Sequence, residues 1–184
     1  IYTLSLHDAL PILVIRDPMA RALAWSMLHN LLRDARIGAP LFVETVLAHA
    51  DDDTEPGTLS TLLNQALRAA CRYTGPSARR LVLDRLVADD PELPEASEPV
   101  SGHGGWGRLC DAAPGSDSQL VRARAWLEAA GQAGLLGEEP KAQAVARIRR
   151  LLDGGLPGLE LDADLRWRAL TAMARNYQDR KSVV

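Results

Sequence analysis

The chain has 184 residues, 47% hydrophobic and 24% charged, which suits one globular domain with a real core and excludes a disordered chain. A formal net charge of -3, with no Lys/Arg stripe interleaved with aromatics, argues against a nucleic-acid partner. Two cysteines, Cys71 and Cys110, are too few for a disulfide framework and fit a reducing, cytoplasmic setting, and no apolar run approaches the roughly 18 to 20 residues that cross a bilayer, so no membrane partner is expected.

Residues 1–12 follow neither a strand nor a helix period. They lack the basic start and small-residue cleavage site of a signal peptide. They resemble translated sequencing adapter, as does the tail 176–184, whose run from Asp179 to Val184 departs from the composition before it. The native segment is therefore expected over 13–175.

Asp17-Pro18 is a cap followed by proline at the first helical position. The helix it starts carries a stripe of Ala20, Leu23, Ala24, Met27, Leu28 and Leu31, which Trp25 and Leu32 widen to a second side. Gly38-Ala39-Pro40 breaks the chain, and a second helix faces inward with Val43, Val46, Leu47 and Ala50. Asp51-Asp52-Asp53 lacks the alternating ligands, glycine and closing glutamate of a calcium loop and reads as a solvated turn. A third helix over about 58–73 buries Leu59, Leu62, Leu63, Ala66, Leu67 and Ala70, with Cys71 beside them as a semi-buried thiol. The fourth, over about 76–88, uses Leu81, Val82, Leu86 and Val87.

The stretch 89–107 holds three prolines and four glycines and is expected to be a mobile insertion. A fifth helix follows over about 117–130. Ser116 is its N-cap, with Gln119 placed to close a capping box on the cap's own N–H, and Leu120, Ala123, Leu127 and Ala130 form its packing face. Glu139-Pro140 starts a sixth helix that turns Ala142, Val145, Ile148 and Leu152 inward until Asp153-Gly154-Gly155 stops it. The seventh starts at Asp162 and uses Leu165, Trp167, Ala169, Leu170, Ala172 and Met173. No run reads as a strand. The fold class is thus all-α, with antiparallel helix pairs in a HEAT-like superhelical array.

Candidate chemistry is sparse. His7, His29, His49 and His103 stand far apart and none is followed by glutamate, so the metallopeptidase pattern of two histidines one helical turn apart is absent. His103 with Cys110 supplies only two metal ligands. Ser101, Ser116 and Ser118 lack a nucleophile-elbow context, and the glycine-rich run 102–107 is neither a phosphate loop nor a dinucleotide fingerprint. Neither catalytic nor metal-binding residues are assigned, and substrate-binding residues are undefined. Trp25, Trp126 and Trp167 read as core or inter-helix residues rather than ligand-stacking groups. Arg122, Arg124, Arg147, Arg149 and Arg150 read as solvated helix faces, with a basic surface for a carboxylate as the alternative.

Three segments, 21–37, 113–130 and 148–170, together resemble one family. They are similar to the C-terminal helical domain of actinobacterial aminopeptidase N, a domain also found at the end of endoplasmic-reticulum antigen-trimming aminopeptidases. The more specific strings are P-G-S-D-x-Q-L from Pro114 and D-A-D-L-R-W from Asp162. The resemblance implies a fragment of a zinc metalloprotease whose metal ligands and glutamate base lie in an upstream catalytic domain, its partner in the same protein. The fragment itself would carry no cofactor. It would cap the catalytic cleft and restrict which peptide substrates enter. The alternative is a free-standing HEAT-like scaffold for protein–protein interaction.

Overall fold

Side-chain caps set where several of the helices begin. In the computed structural model, residues 15–50, 55–88 and 104–178 are described, and they form eight α-helices, one 3-10 turn and no strand. The expectations for 1–12, Asp51-Asp52-Asp53, 89–103 and 179–184, including His7, Ser101 and His103, lie outside the described residues.

Helix α1 (Pro18–Arg33) starts where Asp17 Oδ2 accepts from Ala20 N at 3.0 Å. Helix α2 (Ala39–His49) is apolar on most sides and correspondingly buries Phe42, Val43, Val46 and Leu47. Helix α3 (Pro56–Arg72) is capped by Glu55, whose Oε2 accepts from Thr58 N at 2.6 Å, and packs its leucine and alanine face on α2. Helix α1 contacts both α2 and α3.

The buried residues of α1 correct the expected stripe. Trp25 and Leu32 are buried, whereas Leu23 and Met27 are exposed. The helix is apolar around much of its circumference, so periodicity alone offers two faces, and packing selects the one holding the large indole.

Helix α4 (Pro76–Val87) is divided between two units, residues up to Val82 belonging to the first and those from Leu83 to the second. Leu83, not Leu81, joins its core residues; Leu81 is exposed. Helix α5 (Gly105–Asp111) then forms where the glycine-rich stretch was expected to stay irregular, with Trp106 and Leu109 buried. The reason is backbone proximity. A Cβ on Gly105 would lie 2.0 Å from the carbonyl oxygen of Leu86, so this glycine permits a close approach.

Helix α6 (Asp117–Ala130), a 3-10 turn (Ala133–Leu135), α7 (Glu138–Leu152) and α8 (Ala163–Gln178) complete the second unit. Helix α8 packs on α6 and α7, and α5 packs on α6. The buried face of α7 is Lys141, Ala144, Ile148 and Leu151; Ala142 is exposed, so the expected face is displaced by about one residue. Asp162 caps α8, its Oδ1 accepting from Leu165 N at 2.7 Å.

These helices meet at the end of α4. The Trp126 indole N–H donates to Val87 O at 3.1 Å, the Arg147 guanidinium donates to the same oxygen at 3.2 Å, and Trp106 N donates to Ala88 O at 3.1 Å. The Trp106 and Trp126 rings lie 4.6 Å apart between centroids at 57°, with Arg147 5.4 Å from the Trp106 centroid. Trp126→Ala is therefore expected to cost about 3 to 5 kcal/mol in denaturant unfolding. Trp126→Phe keeps most of the packing and is expected to lose only about 0.5 to 1.5 kcal/mol for the N–H. Equal losses for the two variants would show that ring packing contributes nothing beyond the hydrogen bond.

Candidate functional site

The string from Pro114 forms one side of a structural joint whose other side is the loop before α8. Ser116 Oγ accepts from Gln119 N at 3.1 Å, as the expected cap requires. The return bond differs from the expected capping box. Ser116 N donates to Ala113 O, while Gln119 Oε1 accepts from Gly115 N at 2.9 Å and its Nε2 donates to Pro157 O at 3.0 Å. Gln119, 1% exposed, thus clamps the loop before α6 to the loop before α8. Gly158 makes this approach possible with φ of 76°; a Cβ there would lie 2.3 Å from Gly115 N. A hollow of about 310 Å³ at the joint is lined by Asp117, Glu160 and Asp162 among others.

Helix α8 has two apolar faces. Leu165, Ala169 and Ala172 are buried with Asn176, whose Nδ2 donates to Ala130 O at 2.8 Å and Ala172 O at 2.9 Å and whose Oδ1 accepts from Gly134 N at 3.0 Å. The helix therefore runs past 175, to Gln178. The opposite face leaves Trp167 (71%), Leu170, Ala174 and Tyr177 exposed at spacing i, i+3, i+7 and i+10. Trp167 and Leu170, expected in the core, are instead surface residues. Trp25 and Trp126 are buried as expected.

An ion-pair ladder links α6 and α8. Arg124 and Arg168 each approach Asp164 to 3.0 Å, and Glu128 pairs with Arg175 at 2.9 Å and Arg168 at 3.7 Å. The hydrogen bond from Arg168 is the largest influence on the Asp164 carboxyl; with the charges of Arg168 and Arg124 it outweighs desolvation and holds the group below the ordinary aspartate range. The other arginines do not converge on a single basic surface. Arg122 is buried with its Nε 3.3 Å from Ser118 Oγ, Arg147 serves Val87, Arg149 donates to Tyr177 OH at 3.1 Å, and Arg150 donates to Gly155 O at 3.2 Å.

No three His, Cys, Asp or Glu side chains are grouped to hold a metal among the described residues. The donors present do not fit a catalytic zinc, which takes three protein ligands and an open position. His29 is partly buried against Phe42 and is kept below its ordinary pKa by burial and by Arg33 and Arg68. Burial raises the Cys71 thiol, which disfavours the nucleophilic thiolate. No helix among the described residues is long and apolar enough to cross a membrane.

Residues 5–183 match the family model of the ERAP1-like C-terminal domain. The chain belongs to that family. It is also 27% identical over 160 residues to aminopeptidase N of Streptomyces lividans, a match that covers 86% of this chain and 16% of that protein. The ERAP1-like C-terminal domain here is all-helical over its described residues, and its string from Pro114 supplies Gln119 to the clamp between two loops.

The ladder gives a pH-dependent expectation. A carboxyl whose folded pKa is lowered contributes stability that is present above its unfolded pKa and lost as pH falls through the folded value. Asp164→Asn should therefore destabilise the chain at pH 7, and the difference from wild type should shrink below about pH 4 and in about 1 M salt. A difference independent of both pH and salt, measured by thermal unfolding, would assign Asp164 a role other than ion pairing.

Proposed function

We propose that this chain is the C-terminal helical domain of a zinc-dependent aminopeptidase N, in which it caps the catalytic cleft and limits which peptides enter. The observation that carries this reading is the match of residues 5–183 to the ERAP1-like C-terminal domain, together with the similarity to 16% of a bacterial aminopeptidase N. The zinc, its ligands and the general base belong, on this reading, to the preceding part of the same protein, and a peptide is the substrate. The HEAT-like array of helix pairs is part of the same proposal.

The exposed stripe of Trp167, Leu170, Ala174 and Tyr177 supports a contact with that preceding part. Four apolar residues at heptad-like spacing make a seam suited to a second apolar surface. Contacts between domains of one chain are commonly of modest size and allow relative motion, which an access-limiting cap requires.

A chimera provides the test: the chain replaces the matching last segment of the Streptomyces lividans enzyme. Hydrolysis of a single-residue reporter is expected to stay within about twofold, because the bond-breaking groups are untouched. Trp167→Glu in the chimera is expected to change the dependence of kcat/KM on peptide length by about tenfold or more between short and long peptides, on the order of 1.4 kcal/mol. A length profile identical with and without Trp167 would overturn the cap. The chain by itself is expected to release no amino acid from alanyl or leucyl reporters, and turnover by the purified chain would overturn the assignment of chemistry to the preceding domain.

A further inference from the structure

Helix α1 docks through the face that carries Trp25, His29 and Leu32 at spacing i, i+4 and i+7, while Met19, Leu23 and Met27 on its other side are exposed. His29 is the middle member of that face. Its ring lies 5.8 Å from the ring of Phe42 on α2, between centroids and tilted by 49°, and Phe42 is fully buried. His29 Nε2 is itself buried and has no hydrogen-bond partner among the described residues. A titratable ring thus sits in the seam between helices.

Its surroundings favour the neutral form. A neutral imidazole keeps one nitrogen bare, whereas an imidazolium carries hydrogen on both, so protonation puts a donor at Nε2 where no acceptor is in reach. Burial is the largest influence against the charged ring, and the guanidinium groups of Arg33 on α1 and Arg68 on α3 act in the same direction. Helix α2 meets the ring with Phe42, and Glu44 and His49 of α2 have no part in the shift, nor have Cys71 and Arg72 of α3. No carboxylate among the described residues offsets the two cations.

We propose that His29 is an acid-sensitive latch of the first unit: neutral, it seats α1 against α2 and α3, and protonated, it releases that face of α1 into water. Opening relieves the cost, because water offers acceptors to both nitrogens of the imidazolium. The sign follows from a folded pKa below the ordinary 6.5: the stabilisation is complete above that value and is lost as pH falls through the folded one. The apolar side chains on the other side of α1 are exposed, so nothing described there resists the release. The latch goes beyond the aminopeptidase reading and uses no residue of the second unit.

The test is amide hydrogen exchange of the full chain at about pH 7.5 and about pH 5, corrected for the intrinsic exchange rate at each. Protection of the α1 amides, taken relative to those of α6, is expected to fall on the order of threefold or more at the lower pH, where ordinary carboxylates are still mostly ionised. His29→Leu removes the titrating ring and should abolish the fall, whereas His49→Gln should keep it. His29→Gln serves in the same role where His29→Leu does not fold, and it also identifies the His29 ring signal in a proton NMR titration of the wild-type chain. That signal is expected to titrate below the ordinary 6.5. Wild-type α1 protection that is the same at both pH values, a fall that survives removal of the His29 ring, or a His29 signal that titrates at or above the ordinary value would each overturn the proposal.

Discussion

The second unit depends on two carbonyl oxygens at the end of α4. A helix leaves its last carbonyls without intrahelical donors, and those of Val87 and Ala88 are answered from three other helices. Trp126 of α6 and Arg147 of α7, 39 and 60 residues further along, both donate to Val87 O, and Trp106 of α5 donates to Ala88 O. Each donor also packs: the two indoles lie against one another and the guanidinium sits over one of them. Polar satisfaction and apolar burial thus coincide at one place, which fixes α5, α6 and α7 about the end of a single helix. Gly105 belongs to the same constraint, because any side chain there would push α5 off the α4 backbone.

Local signals in the sequence translate well into helix starts. Asp17, Ser116 and Asp162 cap α1, α6 and α8 as their spacing predicts, because a cap is decided within four residues. Helix faces are less legible. In α1 the predicted stripe and the observed one overlap, and in α8 apolar residues occupy two opposite sides, so the pattern is consistent with either burial. The choice is made by the neighbours, which periodicity does not contain. The glycine-rich approach to α5 misleads for a related reason: glycine signals flexibility locally, whereas Gly105 is needed for a contact with Leu86, far back in the chain.

The surroundings of Trp25 were illegible for a different reason. Trp25 reads as a core residue and is one, being buried; what distinguishes it is an N–H with no partner, a property of three-dimensional surroundings. Conversely, the string from Pro114 stands out in the sequence, yet in the structure it makes a clamp through Gln119 against the loop at Pro157 and Gly158. Such strings identify a family through the residues that build its fold. They say little about where its chemistry resides.

The two faces of α8 connect fold to function most directly. Burying a large apolar side chain gains about 1.5 to 3 kcal/mol, so a Trp, a Leu and a Tyr left largely in water forgo a stabilisation that a covering surface would recover. That gain, less the freedom lost on docking, is enough to hold two domains together without locking them. With side chains about two-fifths exposed, the Arg124–Asp164 pair beside the stripe is screened by water and contributes little on its own. A helix buried on one side by its own unit and apolar on the other is therefore an incomplete core, and on the proposed function the missing half lies in the preceding part of the same polypeptide.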